Sequence, residues 1–506
     1  MPVRARNLVL LTGVLGLLGC WRTTPPPEVV ESGPPCEPSS CTALGVGCGQ
    51  APDGCGGVLD CGECEKPQTC TPVTCAGAGA ACGALPDGCG GMLSCGSCGE
   101  GQVCGGPGQA NVCVPAGAPP PAWFRALPNR VTALTTGPDE NVRIIGWNGT
   151  AAAPGKLDRD GNVLGWGDSA PSEAWLNGLA VMPGSGELYA WGWTAQGGGW
   201  GGSSIAMRYD AQGRSPWILS FGGRDTSEGP YVTDRAGTVA WMSRSVSGGF
   251  LRYQRADERS WGASYVNPPY TDPEAQPLIF RSVGLAEVTG DLLLGALLHG
   301  TGTAFDHPFG REGGSNLIVL ALTPEKRLRW VSEMPVQGLA YCRQFVSAPD
   351  GTVTFLGQVE GALTLGDTRI VSKGYPHPQF LASYGLDGTL RWVRVLPFST
   401  RDVFLAVSPS GHLAVAGSEP APSDGCPRYR ERVRVAELDP SGTLLWNSIL
   451  GSETCPGSMD VAGLGYSGEG VVLGGSAEGK VNVGAGAPVD VGSEPSGYVV
   501  KLRPRR

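Results

Sequence analysis

Charge, histidine and long apolar runs are what this sequence has least of. Charged residues make up 16% of its 506 positions, and there are four histidines. The net charge is −9 and the basic residues form no stripe, which argues against a nucleic-acid binder. His299, His307, His377 and His412 are not spaced as a metal pair. Gly451-Ser452 and Gly457-Ser458 lack the flanking pattern of a nucleophile elbow. No stretch reaches the roughly twenty apolar residues of a membrane-spanning helix. The expectation is therefore a chain with no catalytic residue, no metal and no cofactor. What is abundant is glycine, at 81 residues, with 43 prolines, 18 cysteines and 14 tryptophans. Turn residues of that density among Trp, Leu and Val read as an all-β fold.

The first residues read as an address. Arg4 and Arg6 form a basic start, and Leu8 to Leu18 an apolar stretch too short to span a bilayer. It ends in Leu17-Leu18-Gly19-Cys20, which resembles the bacterial lipobox. The resemblance implies a lipoprotein signal peptide over 1–19, cleavage after Gly19, and lipidation of Cys20 by acyl chains that include palmitate. The chain is then expected in the bacterial cell envelope, lipid-anchored at the outer membrane on its surface or periplasmic side. Residues 20–35, with Pro25-Pro26-Pro27, read as a lipidated cysteine followed by an extended tether.

Residues 36–113 hold most of the cysteines. Cys36, Cys41, Cys48, Cys55, Cys61 and Cys64 recur 34 residues later as Cys70, Cys75, Cys82, Cys89, Cys95 and Cys98, and Cys104 and Cys113 follow. With few large apolar residues, this stretch cannot fold on hydrophobic burial. Export places it where disulfides persist, so all fourteen are expected to be bridged, in a connectivity that spacing does not reveal. The CxxC pairs Cys61/Cys64 and Cys95/Cys98 also fit zinc or a redox motif. The module resembles a tandem cysteine-rich repeat of exported bacterial proteins. Residues 114–122 are a Pro-rich linker.

Residues 123–506 repeat a different word. Leu386-Asp387-Gly388-Thr389-Leu390-Arg391-Trp392 returns as Leu438-Asp439-Pro440-Ser441-Gly442-Thr443-Leu444-Leu445-Trp446. Asp bonds its own backbone two residues on and Gly accepts positive φ, so each copy predicts a hairpin turn with Trp on the following strand. The series runs Trp123, Trp166, Trp217, Trp261, Trp330, Trp392, Trp446, at intervals of 43 to 69 residues. A second hairpin lies inside most intervals, best seen as residues 403–417 around Ser408-Pro409-Ser410-Gly411. Repeating four-stranded units of this length predict β-propeller blades. The count is seven. It falls to six if the units before Trp261 and Trp330 are misread, and rises to eight if the 69-residue interval hides another. The last strand, residues 497–502, lacks a following Trp strand, and residues 123–128 are expected to supply it and close the ring. Residues 356–392 resemble the bacterial surface β-propeller repeat of exported lipoproteins, and more loosely the quinoprotein-type repeat.

The remaining candidates have plainer rivals. Asp158-Arg159-Asp160-Gly161-Asn162 fits either a hairpin turn or a calcium-loop fragment. Cys426 and Cys455 are expected to pair across neighbouring blades, which leaves Cys342 over. Trp191, Trp193 and Trp200 read as packing residues or as an aromatic platform for a carbohydrate or peptide. The resulting expectation is a non-enzyme presenting a propeller to a protein or glycan ligand, with the membrane engaged through its lipid. The alternatives are an envelope assembly scaffold similar to the propeller lipoprotein of the outer-membrane barrel assembly machinery, and a propeller lyase or hydrolase.

Overall fold

The structure is a computed structural model. It describes residues 40–42, 46–52, 58–62, 73–78, 80–82, 84–86, 92–96, 102–106 and 109–115. It also describes 119–503, except 172, 195–202, 215–216, 221–226, 234–238, 246–247, 255–278, 373, 376, 397, 399, 422–429, 453–456 and 485–487. The expected signal peptide, Cys20 and the tether lie outside these residues, as do Cys36, Cys55, Cys64, Cys70, Cys89, Cys98, Cys426, Cys455, Trp200 and Trp261. The described residues contain strands and turns and no helix, so none of them forms a helix long and apolar enough to cross a membrane. The chain divides into two compact units, Met1–Gly96 and Ser97–Arg506.

The first unit is built twice. Gln50–Pro52 pairs antiparallel with Val58–Asp60, and Ala84–Pro86 with Met92–Ser94. A disulfide joins Cys41 to Cys61 and another joins Cys75 to Cys95. The two bridges occupy equivalent places in the 34-residue repeat. Cys48 and Cys82 are disulfide-bonded as well. With so little apolar surface, the bridges hold the hairpins by restricting the unfolded chain.

The second unit opens with a hairpin, Gln102–Gly106 and Gln109–Pro115, in which Cys104 and Cys113 are register partners. Antiparallel meanders then follow one another. Arg130–Thr136, Val142–Trp147, Ala152–Leu157 and Val163–Trp166 form one. Ala174–Val181, Leu188–Thr194, Ser203–Tyr209 and Trp217–Ser220 form the next. Three strands are described in the following one, Ser227–Thr233, Val239–Ser245 and Gly248–Gln254. Ile279–Leu285, Leu292–Ala304 and His307–Leu322 lead into the long strand Leu328–Ser347. The first part of that strand completes one meander. Its second part opens the next, with Val353–Leu365, Gln379–Tyr384 and Leu390–Val395. Arg401–Val407, Leu413–Pro420, Glu431–Leu438 and Leu444–Leu450 come after. In the final meander Gly463–Ser467, Gly470–Glu478 and Ser496–Leu502 are joined by Pro121–Leu127, the domain's first strand.

The opening strand of each meander lies against that of the next. The round ends where it began, with Gly463 paired to Leu134 of Arg130–Thr136. Meanders stacked side by side around their opening strands make a β-propeller. The core sits between neighbouring sheets. Leu356 and Leu381 of one pack with Leu405, Val415 and Ala436 of the next, and Leu134 and Ile144 pack with Val472 and Val499 across the closing seam. Middle strands covered on both faces are buried throughout, as in Gln379–Tyr384, where the polar Gln379 and Ser383 are buried with the apolar residues. The outermost strand Val163–Trp166 is exposed at every position.

Candidate functional site

The repeated Asp/Gly turn and its tryptophan form a joint between meanders. Trp392 lies over Gly442 of the next turn and donates from Nε1 to the carbonyl oxygen of Pro440 at 3.1 Å, while Arg394 Nε donates to the carbonyl oxygen of Gly442 at 2.8 Å. The same clasp joins the domain's start to the first turn. Trp123 lies over Gly161 and donates to Arg159 O at 2.9 Å, and Arg125 Nε donates to Gly161 O at 2.8 Å. Trp330 lies over Gly388 and stacks on Tyr384 at 5.6 Å. Any Cβ on those glycines would collide with an indole, and their φ values of +80° to +81° favour glycine independently.

Not every repeat tryptophan docks this way. Trp166 packs on Gly146 and Gly155 of its own meander. Trp446 has no turn to meet, because the next meander takes its outer strand from the domain's beginning. It is fully buried, and its Nε1 donates to Glu437 Oε2 at 2.6 Å. Tyr466 OH donates to the other oxygen of Glu437 at 3.0 Å, and His412 Nδ1 stands 3.8 Å from it. Burial and the Glu437 charge push the Tyr466 phenol well above its ordinary range. Glu437 is a seam residue that no turn motif or spacing announced.

Asp158-Arg159-Asp160-Gly161-Asn162 folds as a hairpin turn. Asp158 Oδ1 accepts the backbone N–H groups of Asp160 and Asn162, and Oδ2 accepts the Asn162 amide at 2.9 Å. Those bonds, the Asn162 side chain foremost, hold the Asp158 carboxyl below its usual range. Its oxygens are thus engaged in the turn, the plainer of the two expectations.

The histidines are dispersed. His299 Nδ1 meets Ser315 Oγ at 2.7 Å, His307 packs edge-on to Phe309, and His377 Nδ1 meets Ser372 Oγ at 3.1 Å. Cys342 is a buried free thiol pushed up to about 12 by burial, a poor nucleophile.

The arrangement with an outward-facing chemistry is a row of three tryptophans. Trp147 ends the second strand of one meander, and Trp175 and Trp193 lie on the first two strands of the next. Their ring centroids are 4.8 Å apart for Trp147 and Trp175, tilted by 59°, and 6.4 Å apart for Trp175 and Trp193, stacked within 24°. A register shift between Leu176 and Gly178 brings Trp175 opposite Trp193. Trp191, two residues away, packs instead on Gly178 and beside Ala180 and Ala206. Trp193 remains 48% exposed.

Two polar residues lie close to the row in sequence. Exposed Asn148 follows Trp147, and its Oδ1 accepts Thr150 N, Thr150 Oγ1 and Ala151 N at 2.9–3.0 Å. Exposed Glu173, two residues before Trp175, has a φ of 70° in a turn closed by Ala174 N to Pro171 O at 3.1 Å. A glutamate in that conformation costs about 1 kcal/mol.

No family model matches the chain, and no curated protein matches it. It is similar to a solved streptogramin B lyase, with 10% identity over 75% of this chain and 98% of the other and a TM-score of 0.41. The structure of the Dos1 propeller gives 9% identity over 76% and 95%, with a TM-score of 0.40. Prolyl endopeptidases give 11% over 75% and 51%, with a TM-score of 0.39. At that level no activity transfers. The chain's own strand pairing defines its class, a β-propeller protein preceded by a disulfide-bonded unit.

Proposed function

We propose that this chain is a lipid-anchored protein of the bacterial envelope, in which a disulfide-stapled stem carries a seven-bladed propeller that binds a protein or glycan without transforming it. The blade count is supported by the closed round of opening strands and by Pro121–Leu127 completing the last meander. The anchor is supported by Leu17-Leu18-Gly19-Cys20 at the end of the apolar stretch. One observation carries the binding function: Trp193 stands 48% exposed on a stacked aromatic row. Clustered apolar surface left open on a folded protein marks interaction sites.

The test immobilises the full-length protein, passes envelope protein and envelope polysaccharide fractions over it, and repeats both with Trp193→Ala. Retention of either fraction that the substitution removes is expected. Retention indifferent to Trp193 overturns the site. Labelling with a palmitate analogue, with Cys20→Ser as control, tests the anchor, which fails if wild type takes up no label.

A further inference from the structure

We propose that the cavity between the Pro349-Asp350-Gly351 and Pro409-Ser410-Gly411 turns receives a lysine side chain of a protein partner, its stem against the turn prolines and its ammonium bonded to Thr354 in the field of Asp350. The inference is independent of the Trp193 row.

The cavity has a volume of about 210 Å³, the share of about seven waters in the liquid. It opens in the seam between the sheet of Val353–Leu365 and that of Leu413–Pro420. Pro349, Pro409 and Pro440 stand exposed around it, and Val346 and Leu413 line it from the strands. Proline rings make apolar walls that need little ordering on binding.

Thr354 is the side chain that packing does not explain. It lines the cavity at 3% exposure, and among the described residues its hydroxyl makes no hydrogen bond. With Val346 it forms the second register pair in from the turn. The matching pairs of two other meanders are Gly284 with Leu293 and Ala406 with Ala414. Leu293 and Ala414 are buried and apolar, so the place itself asks for no hydroxyl. Burying one unbonded costs stability. An occupant that donates to Thr354 Oγ1 recovers that loss.

The charge of the occupant follows from Asp350, the one ionisable side chain that lines the cavity. Burial raises its carboxyl, but the bonds from Thr352 and the nearby Arg391 outweigh this and hold it below its usual range, so it is ionised at neutral pH. Arg391 Nη1 lies 3.4 Å from Asp350 and 2.7 Å from Thr352 Oγ1. A second carboxylate, Glu469, accepts the Ser410 hydroxyl at 2.6 Å. Two carboxylates against one guanidinium leave the rim negative, which selects a cation. One lining carboxylate is too few for a metal ion, and among the described residues no three metal-binding side chains gather. A guanidinium wants a pair of acceptors in one plane. Both Asp350 oxygens already accept from Thr352, N at 2.8 Å and Oγ1 at 2.8 Å, so no such pair is open. An ammonium needs only single acceptors, and its aliphatic stem suits the proline walls.

The experiment is saturation-transfer difference NMR on the full-length protein in detergent. The probe is Nα-acetyl-lysine amide, with the norleucine, arginine and glutamate analogues beside it. Lysine alone is expected to bind, with saturation on its side-chain methylenes and an affinity that falls as salt rises. Asp350→Asn, which keeps the acceptor of the turn, should weaken it about fivefold, the worth of an exposed charge pair. Thr354→Val should also weaken it about fivefold. Its urea midpoint should hold or rise, because a methyl of the same shape replaces an unbonded hydroxyl. Asp387→Asn, in a turn outside the cavity, and Trp193→Ala should change nothing.

A norleucine analogue that binds as tightly as lysine overturns the charge, and preference for arginine or glutamate overturns the class. Silence from lysine, or binding indifferent to both Asp350 and Thr354, overturns the site. A lower midpoint in Thr354→Val overturns the role given to its hydroxyl. Retention of envelope fractions through Trp193 is read separately and stands or falls without these results.

Discussion

Trp123 lies opposite Lys501, pairing the domain's first strand with its last. Phe124 beside it stacks on Tyr498 with ring centroids 6.1 Å apart, against the core that holds Trp446 and Leu473. Phe124→Ala should cost about 2 kcal/mol, below the value for a fully buried phenylalanine because the ring is partly exposed. Deleting residues 121–127 should do more, because it bares the edge of Ser496–Leu502 for pairing with another chain. Urea midpoints and size-exclusion profiles check both, and a monomer of unchanged midpoint after the deletion would contradict the closing role.

The clasp predicts a contrast among tryptophans. Gly442→Ala brings a methyl to 2.7 Å from the Trp392 ring at a φ of +81°, and it should cost about 2 kcal/mol. Trp392→Ala should cost at least as much, since it also loses the bond to Pro440. Trp166→Ala, which removes a ring docked on no neighbouring turn, should cost about 1 kcal/mol or less. Equal losses at Trp166 and Trp392 would show that docking on the next turn adds nothing.

Asp460 predicts a pH dependence. Burial, set against the bond from Ser476 N at 2.8 Å, pushes its carboxyl up to about 6, with Glu431 and Asp402 raising it and Arg130 lowering it. A raised acid prefers the proton in the folded state. Its stabilising contribution is therefore complete below the unfolded value near 4 and is lost as pH rises through 6. The difference is about 2 kcal/mol between pH 4 and pH 7.5. Asp460→Asn should flatten this part of the profile and raise the midpoint at pH 7.5. Denaturation of both proteins at pH 5 and pH 7.5 decides it.

The disulfide-bonded unit should respond to its bridges independently of the propeller. Cys41–Cys61 and Cys75–Cys95 each close a loop with a sequence separation of 20, which stabilises by about 3 kcal/mol per bridge. Replacing Cys41 and Cys61 by serine should open residues 40–62 to protease while residues 119–503 keep their cleavage pattern. Non-reducing peptide mapping should recover both pairs, and a different pairing would refute the assignment.

Much of the repeat was legible because its signals are local. An Asp that bonds two residues onward and a Gly at positive φ write a turn into four or five residues, whatever surrounds them. Asp387 and Asp439 do so in the fold as in the sequence. Trp123 was legible as the start of a closing strand because it copied the words around Trp392. The candidate site was not legible to the same degree. Trp191 and Trp193 stood out as neighbours in sequence, yet one is tucked onto Gly178 and only the other joins the row. Trp175, the true neighbour of Trp193, lies on a different strand, and Trp147, which meets Trp175, lies in a different meander.

The amino-acid sequence by itself determined the hairpins, their order and the cysteine repeat, since each depends on residues a few positions apart. The tertiary structure alone decided which tryptophan docks on a turn, which is buried against Glu437 and which is left open. Those fates depend on what the neighbouring sheet presents at the same height. A turn glycine without a Cβ admits an indole, a seam without a turn forces one inward, and a one-residue shift at Leu176 brings Trp175 opposite Trp193.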